Sequence, residues 1–597
     1  MQNKPWLWKA RFLDYHAEID SSLVAEGFYL TYIDVSDEYG SPKAVALWDS
    51  FYDSIRKAEH LDKKVALHCH SRGGLIAYNW AKKNADKVAC IYADAPVCDF
   101  NSWPAGKGIS EGSKSDWMGL KKTYGFSSDK KARNYRGNPI FGLDSFVKYK
   151  VPIFHSIGLS DQIVPPVENT LLLVENYINL GGMATVYPCV DGIQKLKGHH
   201  YKIEMPQKVI NFIKQNTLQK KILSSKDYHL TRSGLQNSLL VFSRRKEARV
   251  AFLGGSITYN SGWRDSISNY LISRFPNCKF EFVAAGIPSM GSTPAAFRLQ
   301  RDVLSKGKID LLFEEAAVND ASNDRTADEQ IMAMEGIVRN LRRVNPEIDI
   351  VLMHFVDPTK IASYRKGEIP EVIKNHEIVA DYYGVSSINL AKEVTDRIDN
   401  GEFTWEDDFK NLHPSVFGQG IYAHSMISFL KSNYAASVAE DDKIISYEQP
   451  RILNSSSYDN GVLYATSEIQ LSKGWDVESY WEPKDGTNTR VNYTQVPMLV
   501  GELPGAVLQF PFKGNAVGIS VAAGSDAGVI EYRIDKGNWQ KQNLFTQWSK
   551  HIHLPWYFTL QTGLQRGEHL LEIKLSDKND VRSSGNVCRI RYFFVNK

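Results

Sequence analysis

Short apolar runs separated by amphipathic stretches fill the first two-thirds of the chain, and this alternation predicts parallel strands covered by helices. From Lys64 to about Gln215 the strand candidates are Val65-Ala66-Leu67, Val88 to Tyr92, Val151 to Ile157 and Ala184 to Tyr187. Gly73 to Asn84, Pro166 to Leu180 and Pro206 to Gln215 are long and periodic enough for helices. A stretch of low hydrophobicity, Lys220 to Ser238, interrupts the pattern and reads as a connector. A second series follows: Arg249 to Leu253, Phe280 to Ala284, Ile309 to Phe313, Ile348 to Met353 and Val385 to Asn389, with helical segments between. After about Ser432 the text changes to runs such as Ala506 to Phe512, Val517 to Val521, Val529 to Ile534, Leu570 to Leu575 and Arg589 to Val595, broken by turn residues. That pattern predicts an all-β module, a sandwich. The expected division is 1–218, 219–435 and 436–597.

Composition agrees with several soluble globular domains: 597 residues exceed one ordinary core, 43% are hydrophobic and 23% charged. Lys+Arg (71) exceeds Asp+Glu (68) by only three, so no field points to nucleic acid or an anionic membrane. The six cysteines lack CxxC spacing and read as buried thiols. No window reaches ~18 uninterrupted apolar residues, and the first residues lack the pattern of a signal peptide.

The sharpest chemical signal is Leu253-Gly254-Gly255-Ser256-Ile257-Thr258, directly after a strand, where the carboxyl edge of a parallel sheet binds ligands. Ala316-Ala317-Val318-Asn319-Asp320 follows another strand, and Asn411-Leu412-His413-Pro414 opens a late amphipathic stretch. These blocks resemble the SGNH (GDSL-like) hydrolase family over about residues 247–433. The resemblance implies Ser256 as nucleophile, His413 as general base, and Asn319 with the Ser256 backbone N–H as oxyanion donors. In Ala284-Ala285-Gly286-Ile287-Pro288-Ser289 the family's glycine donor falls on Ser289, which keeps a backbone N–H. The family's acid stands three residues before the histidine. Here that residue is Lys410, and Asp408, beside Asp407, is the expected partner of His413. SGNH enzymes can also act as dyads.

A second candidate lies in Val65-Ala66-Leu67-His68-Cys69-His70-Ser71-Arg72-Gly73-Gly74, read as strand, sharp turn and helix. Asp161 follows a strand, and Lys197-Gly198-His199-His200 precedes the last helix of this unit. The order Ser, Asp, His resembles the α/β-hydrolase family over residues 5 to about 218. That implies Ser71, Asp161 and His199 as nucleophile, acid and base, with the Arg72 N–H as an oxyanion donor. Cys69 replaces a glycine at the strained turn, and Asp94 is a rival acid. Pro5 to Phe12 looks like the loop after the family's third strand. The leading strands are therefore expected to be missing and the start truncated, which would make the protein bacterial and periplasmic or secreted. His68, Cys69 and His70 do not read as a metal cluster, because adjacent strand residues alternate faces and no fourth ligand is evident.

The terminal module carries Trp475, Trp481, Trp539, Trp548, Trp556, Tyr480, Tyr532 and Tyr557, whose rings can stack on sugars or fill a core. Its turns and Asp526 to Asp535 resemble the jelly-roll-like modules of SGNH carbohydrate esterases, and the His551 to Trp556 loop is a candidate to reach the neighbouring site. The expected molecule has an α/β-hydrolase-like unit, an SGNH-type α/β/α unit and an all-β jelly-roll-like sandwich. Its expected activity is removal of O-acetyl or another small acyl group from a polysaccharide or oligosaccharide, without metal or organic cofactor. Two other readings stand beside it: a general lipase or thioesterase, and a non-catalytic glycan-binding protein on degenerate hydrolase folds.

Overall fold

The computed structural model describes residues 4–190, 195–218 and 222–597. The chain forms two compact units, Met1–Lys221 with Asp399–Thr404, and Ile222–Ile398 with Trp405–Lys597.

The first unit is built on a parallel sheet of β1 (Trp6–Lys9), β2 (Tyr29–Tyr32), β3 (Val65–His70), β4 (Val88–Asp94), β5 (Ile153–Gly158) and β6 (Ala184–Cys189), in the order β2-β1-β3-β4-β5-β6. The runs at β3, β4 and β5 are legible because their residues are buried on both faces. The segment expected as a loop from Pro5 to Phe12 is instead a strand over Trp6–Lys9, paired with β2 and β3, and only Ala10 onward leaves the sheet. Its tryptophans make it a core strand: Trp8 stacks on Trp48 at 4.0 Å between ring centroids, with Trp6 and Trp80 beside them. Truncating one such fully buried tryptophan to alanine typically costs ~3–5 kcal/mol.

The second unit holds another mainly parallel sheet: β7 (His229–Leu230), β8 (Glu247–Gly254), β9 (Lys279–Gly286), β10 (Leu311–Glu315), β11 (Asp349–Met353) and β12 (Ser386–Ile388), ordered β7-β12-β11-β10-β8-β9. Only β7 runs antiparallel. The start of the connector expected from Lys220 lies outside the described residues. Its remainder is structured, supplying the edge strand β7 and the helix Gln236–Arg244.

The rest of this unit is antiparallel apart from one short pairing. One sheet contains β13 (Gly461–Ala465), β14 (Trp475–Trp481), β15 (Asn488–Thr489) and β16 (Val496–Gly501). A second contains β17 (Val507–Gly514); β18 (Ala516–Ala523) joins the first, and β19 (Val529–Ile534) and β20 (Gln540–Asn543) join the second. β21 (Ile552–Gln561) and β23 (Cys588–Asn596) complete the first sheet and β22 (Gly567–Leu575) the second. Strand β17 alternates buried and solvent-facing positions, whereas β18 is buried throughout. The reason is a second packing partner. The inner faces of the two sheets share one core, and the other face of the larger sheet merges with the helices Ser292–Asp302 and Ala327–Val344. Phe297 meets Phe594 at 4.4 Å between centroids, and Arg325 donates to the Tyr557 carbonyl at 2.8 Å.

Candidate active sites

In the second unit, β8 ends at Gly254 and Ser256 begins the short helix Ser256–Tyr259. Its Oγ lies 2.8 Å from His413 Nε2, so the serine hydroxyl has a proton acceptor in hydrogen-bond reach. Asn319 lies on the helix Ala317–Ser322, after β10. A Cβ added to Gly255 would stand 2.1 Å from Asn319 Oδ1, so the amide rests against the residue preceding the serine, and only glycine leaves it room. The turn carrying Asn319 is fixed from both sides. Glu315 accepts from the Val318 N–H at 3.0 Å, and Asp320 accepts from the Ser292 N–H at 2.8 Å while meeting His376 at 3.0 Å. Burial raises the Glu315 carboxyl to about 7.

Ser289 adopts φ 68°, the left-handed conformation that glycine takes most easily. Its carbonyl accepts from Asn323 Nδ2 at 3.1 Å, and its Oγ accepts from Arg490 Nε at 3.1 Å. Asp408 is the expected partner of His413. Its main-chain carbonyl accepts from Ser415 Oγ at 2.5 Å, and among the described residues no contact joins its carboxylate to the imidazole. The main-chain N–H of His413 donates to Asn411 Oδ1 at 2.8 Å. Burial first, then the Arg490 charge, lower the pKa of His413, which favours the neutral ring a general base requires.

Nothing in the sequence marks Arg490, because a lone arginine in a polar turn carries no motif. The turn is anchored by Thr489, whose Oγ1 donates to the His553 carbonyl at 2.6 Å, and by Asp485, 3.1 Å from His553 Nε2. The expected reaching loop, His551 to Trp556, is largely the start of strand β21, with His553 buried. The neighbouring turn reaches the site in its place. Of the aromatic candidates, Trp475 and Trp481 belong to the core, whereas Tyr480 and Trp548 are exposed.

In the first unit β3 ends at His70 and Ser71 turns with φ 54° into the helix Gly73–Lys83. Ser71 Oγ lies 2.9 Å from His199 Nε2, and His199 Nδ1 lies 2.7 Å from Asp161 Oδ2. The other Asp161 oxygen accepts from the Ile163 and Val164 N–H groups, each at 2.9 Å, so the carboxylate is aimed by the chain. Ser71, His199 and Asp161 thus form one hydrogen-bonded line, the arrangement expected of a nucleophile, base and orienting acid. The helix approaches closely because position 74 is glycine: a Cβ there would lie 2.7 Å from the Val97 carbonyl oxygen. Cys69 is accommodated within the buried core. Asp94, the rival acid, is committed elsewhere, to His16 at 2.6 Å and Tyr201 at 2.5 Å. Arg72 stands at the head of the helix, its side chain paired with Asp116 at 3.0 Å.

Residues 252–421 match the sequence model of the GDSL-like Lipase/Acylhydrolase family. No curated protein matches the chain. Among solved structures, a two-domain esterase (CEX) active on acetylated mannans, co-crystallised with mannopentaose, superposes with a TM-score of 0.50 at 17% identity, covering 63% of this chain and 99% of that one. Another structure of a two-domain esterase of that description gives 0.50 at 18% identity, covering 64% and 99%. LAE5, an α/β hydrolase from the metagenome of Lake Arreo, Spain, gives 0.27 at 17% identity, covering 32% and 97%. At 17% and 18% identity the likeness to the two esterase structures is one of fold. Among the described residues no helix is long and apolar enough to cross a membrane.

Proposed function

We propose, from the GDSL-like acylhydrolase match over residues 252–421 and the Ser256–His413 pair inside it, that this chain is a carbohydrate esterase removing O-acetyl or another small acyl group from a polysaccharide. The observation that carries the reading is the 2.8 Å contact between Ser256 Oγ and His413 Nε2. Ser256 attacks the ester carbonyl as His413 takes its proton. The oxyanion is received by Asn319 and the backbone N–H groups of Ser256 and Ser289. His413 then returns the proton to the departing sugar oxygen, and water hydrolyses the acyl-enzyme. The pair works as a dyad. The acetylated-mannan activity named for the structural neighbour makes acetylated mannans the first substrates to try, with the exposed Tyr480 and Trp548 as sugar-stacking candidates.

The connected line Ser71–His199–Asp161 favours a second esterase site in the first unit, with the Arg72 N–H as oxyanion donor. The functional parts we assign are 1–218, 219–435 and 436–597, the last a glycan-contacting module. The test is acetate release from a panel of acetylated polysaccharides and an aryl acetate, comparing wild type, Ser256→Ala, Ser71→Ala and the double variant. Loss of polysaccharide deacetylation with Ser256→Ala is expected. Full activity in that variant overturns the assignment, a preference for long acyl chains points to a lipase or thioesterase, and glycan retention without turnover points to a binding protein.

A further inference from the structure

The first unit gathers three imidazoles that sequence spacing does not foretell. The run His68-Cys69-His70 disperses: His68 turns to Asp20 at 2.7 Å and Cys69 enters the core. His70 instead meets His199 and His200, which come from a turn about 130 residues later, and one ligand-type atom from each of the three lies within 4.8 Å of the other two.

We propose that His70, His199 and His200 form a binding site for a borderline-soft divalent ion of the Zn2+ kind, and that a bound ion shuts the Ser71 site by occupying the His199 nitrogen that would accept the serine proton. The blocking step rests on the hydrolase reading of the first unit; the metal site does not. Hydrogen bonding sets the tautomers. His70 Nδ1 faces only acceptors, the Asp94 carbonyl at 3.1 Å and the Asp94 carboxylate at 3.2 Å, so it carries the proton and Nε2 carries the lone pair. His199 Nδ1 faces the Asp161 carboxylate at 2.7 Å, so its Nε2 also offers a lone pair. A carboxylate behind a ligating imidazole is the usual way to orient such a ligand and raise its basicity.

The rings are also held in place. Tyr15 stacks on His70 with 3.9 Å between centroids and leans on His200 at 4.9 Å. A tetrahedral ion ~2.1 Å from each nitrogen needs them roughly 3.4 Å apart, so the 4.8 Å spacing must close by at most about 1.4 Å. His200, partly exposed and, among the described residues, without the carboxylate that braces the other two, is the ring that swings in. Three imidazoles with water in the fourth position suit Zn2+, and their softness disfavours Mg2+ and Ca2+.

Calorimetric titration of Zn2+ into the metal-free full chain, with Mg2+ as control, tests the site. One saturable Zn2+ is expected, retained in Ser71→Ala and weakened at least tenfold in His200→Ala and in His70→Gln. His200→Ala changes a partly exposed ring, so it keeps the test valid if the buried His70 variant fails to fold. No saturable uptake, or uptake unchanged by His200→Ala, overturns the site. The block is read in the Ser256→Ala chain, where Zn2+ is expected to abolish the Ser71-dependent ester turnover and chelator to restore it, with His200→Ala resistant. Zinc uptake that leaves this turnover intact overturns the block. If no Ser71-dependent turnover exists the hydrolase reading fails, and the calorimetric result still decides the metal site.

Discussion

Arg490 donates through Nε to Ser289 Oγ at 3.1 Å, which puts a guanidinium from the antiparallel region of the chain at the residue expected to lend an oxyanion N–H. The contact crosses 201 positions of sequence, and it exists because the larger β-sheet and the helices of the parallel sheet share one buried core. The same cation is felt by His413. Arg490 therefore bears on both the geometry of the Ser289 loop proposed to lend an oxyanion donor and the charge state of His413, the proposed base.

Arg490→Gln is expected to lower kcat/KM by about 10- to 100-fold, the scale of losing one oriented hydrogen bond and its charge near developing negative charge. His413 must be neutral to accept a proton, so activity is lost as pH falls through its pKa. Arg490 holds that pKa down; its removal raises it, and the acidic limb of the kcat/KM profile moves to higher pH. Arg490→Lys keeps the charge and should keep the limb in place. A pH–rate profile of acetate release checks all three.

Asp408→Asn should leave kcat within about threefold of wild type, because among the described residues the contacts of His413 run to Ser256 and Asn411 and none reaches the Asp408 carboxylate. His413→Ala should cost ~10²- to 10⁴-fold, the scale of general-base catalysis. Steady-state rates of both variants separate a dyad from a triad; a collapse with Asp408→Asn would restore the acid.

Gly255→Ala places a methyl group 2.1 Å from Asn319 Oδ1, and the amide must swing away from the serine. The expected result is a fall in kcat of about 10²-fold, similar to Asn319→Ala, with thermal unfolding little changed, because the side chain that gives way is a polar tip rather than core. Equal losses in the two single variants and in the double variant would place both residues on one interaction.

Asp161→Asn should reduce Ser71-dependent turnover by about 10⁴-fold while leaving Ser256-dependent deacetylation untouched. The reason is the tautomer: the carboxylate at 2.7 Å keeps the proton on His199 Nδ1, and an amide does not impose that. Ser71-dependent turnover is compared on ester substrates in the Ser256→Ala chain, and Ser256-dependent deacetylation with Ser256 in place.

Continuous apolar runs made β3, β4 and β5 visible, since strands buried on both faces leave little room for polar residues. Trp6–Lys9 escaped because four residues are too few to show a period, and Tyr29–Tyr32 because none of its residues is fully buried. The order of the Ser256, Asn319 and His413 blocks was legible, as were Ser71, Asp161 and His199, because each sits in a short motif after a strand end or in the segment before a helix. The want of a described contact between Asp408 and the His413 imidazole, the arriving Arg490 and the meeting of His70 with His199 and His200 were not. A motif is written in neighbouring residues whose periodicity and turn chemistry act locally. Whether two side chains a hundred or more positions apart come within hydrogen-bond reach is decided only when strands pair and cores close, since packing sets their positions to within an ångström.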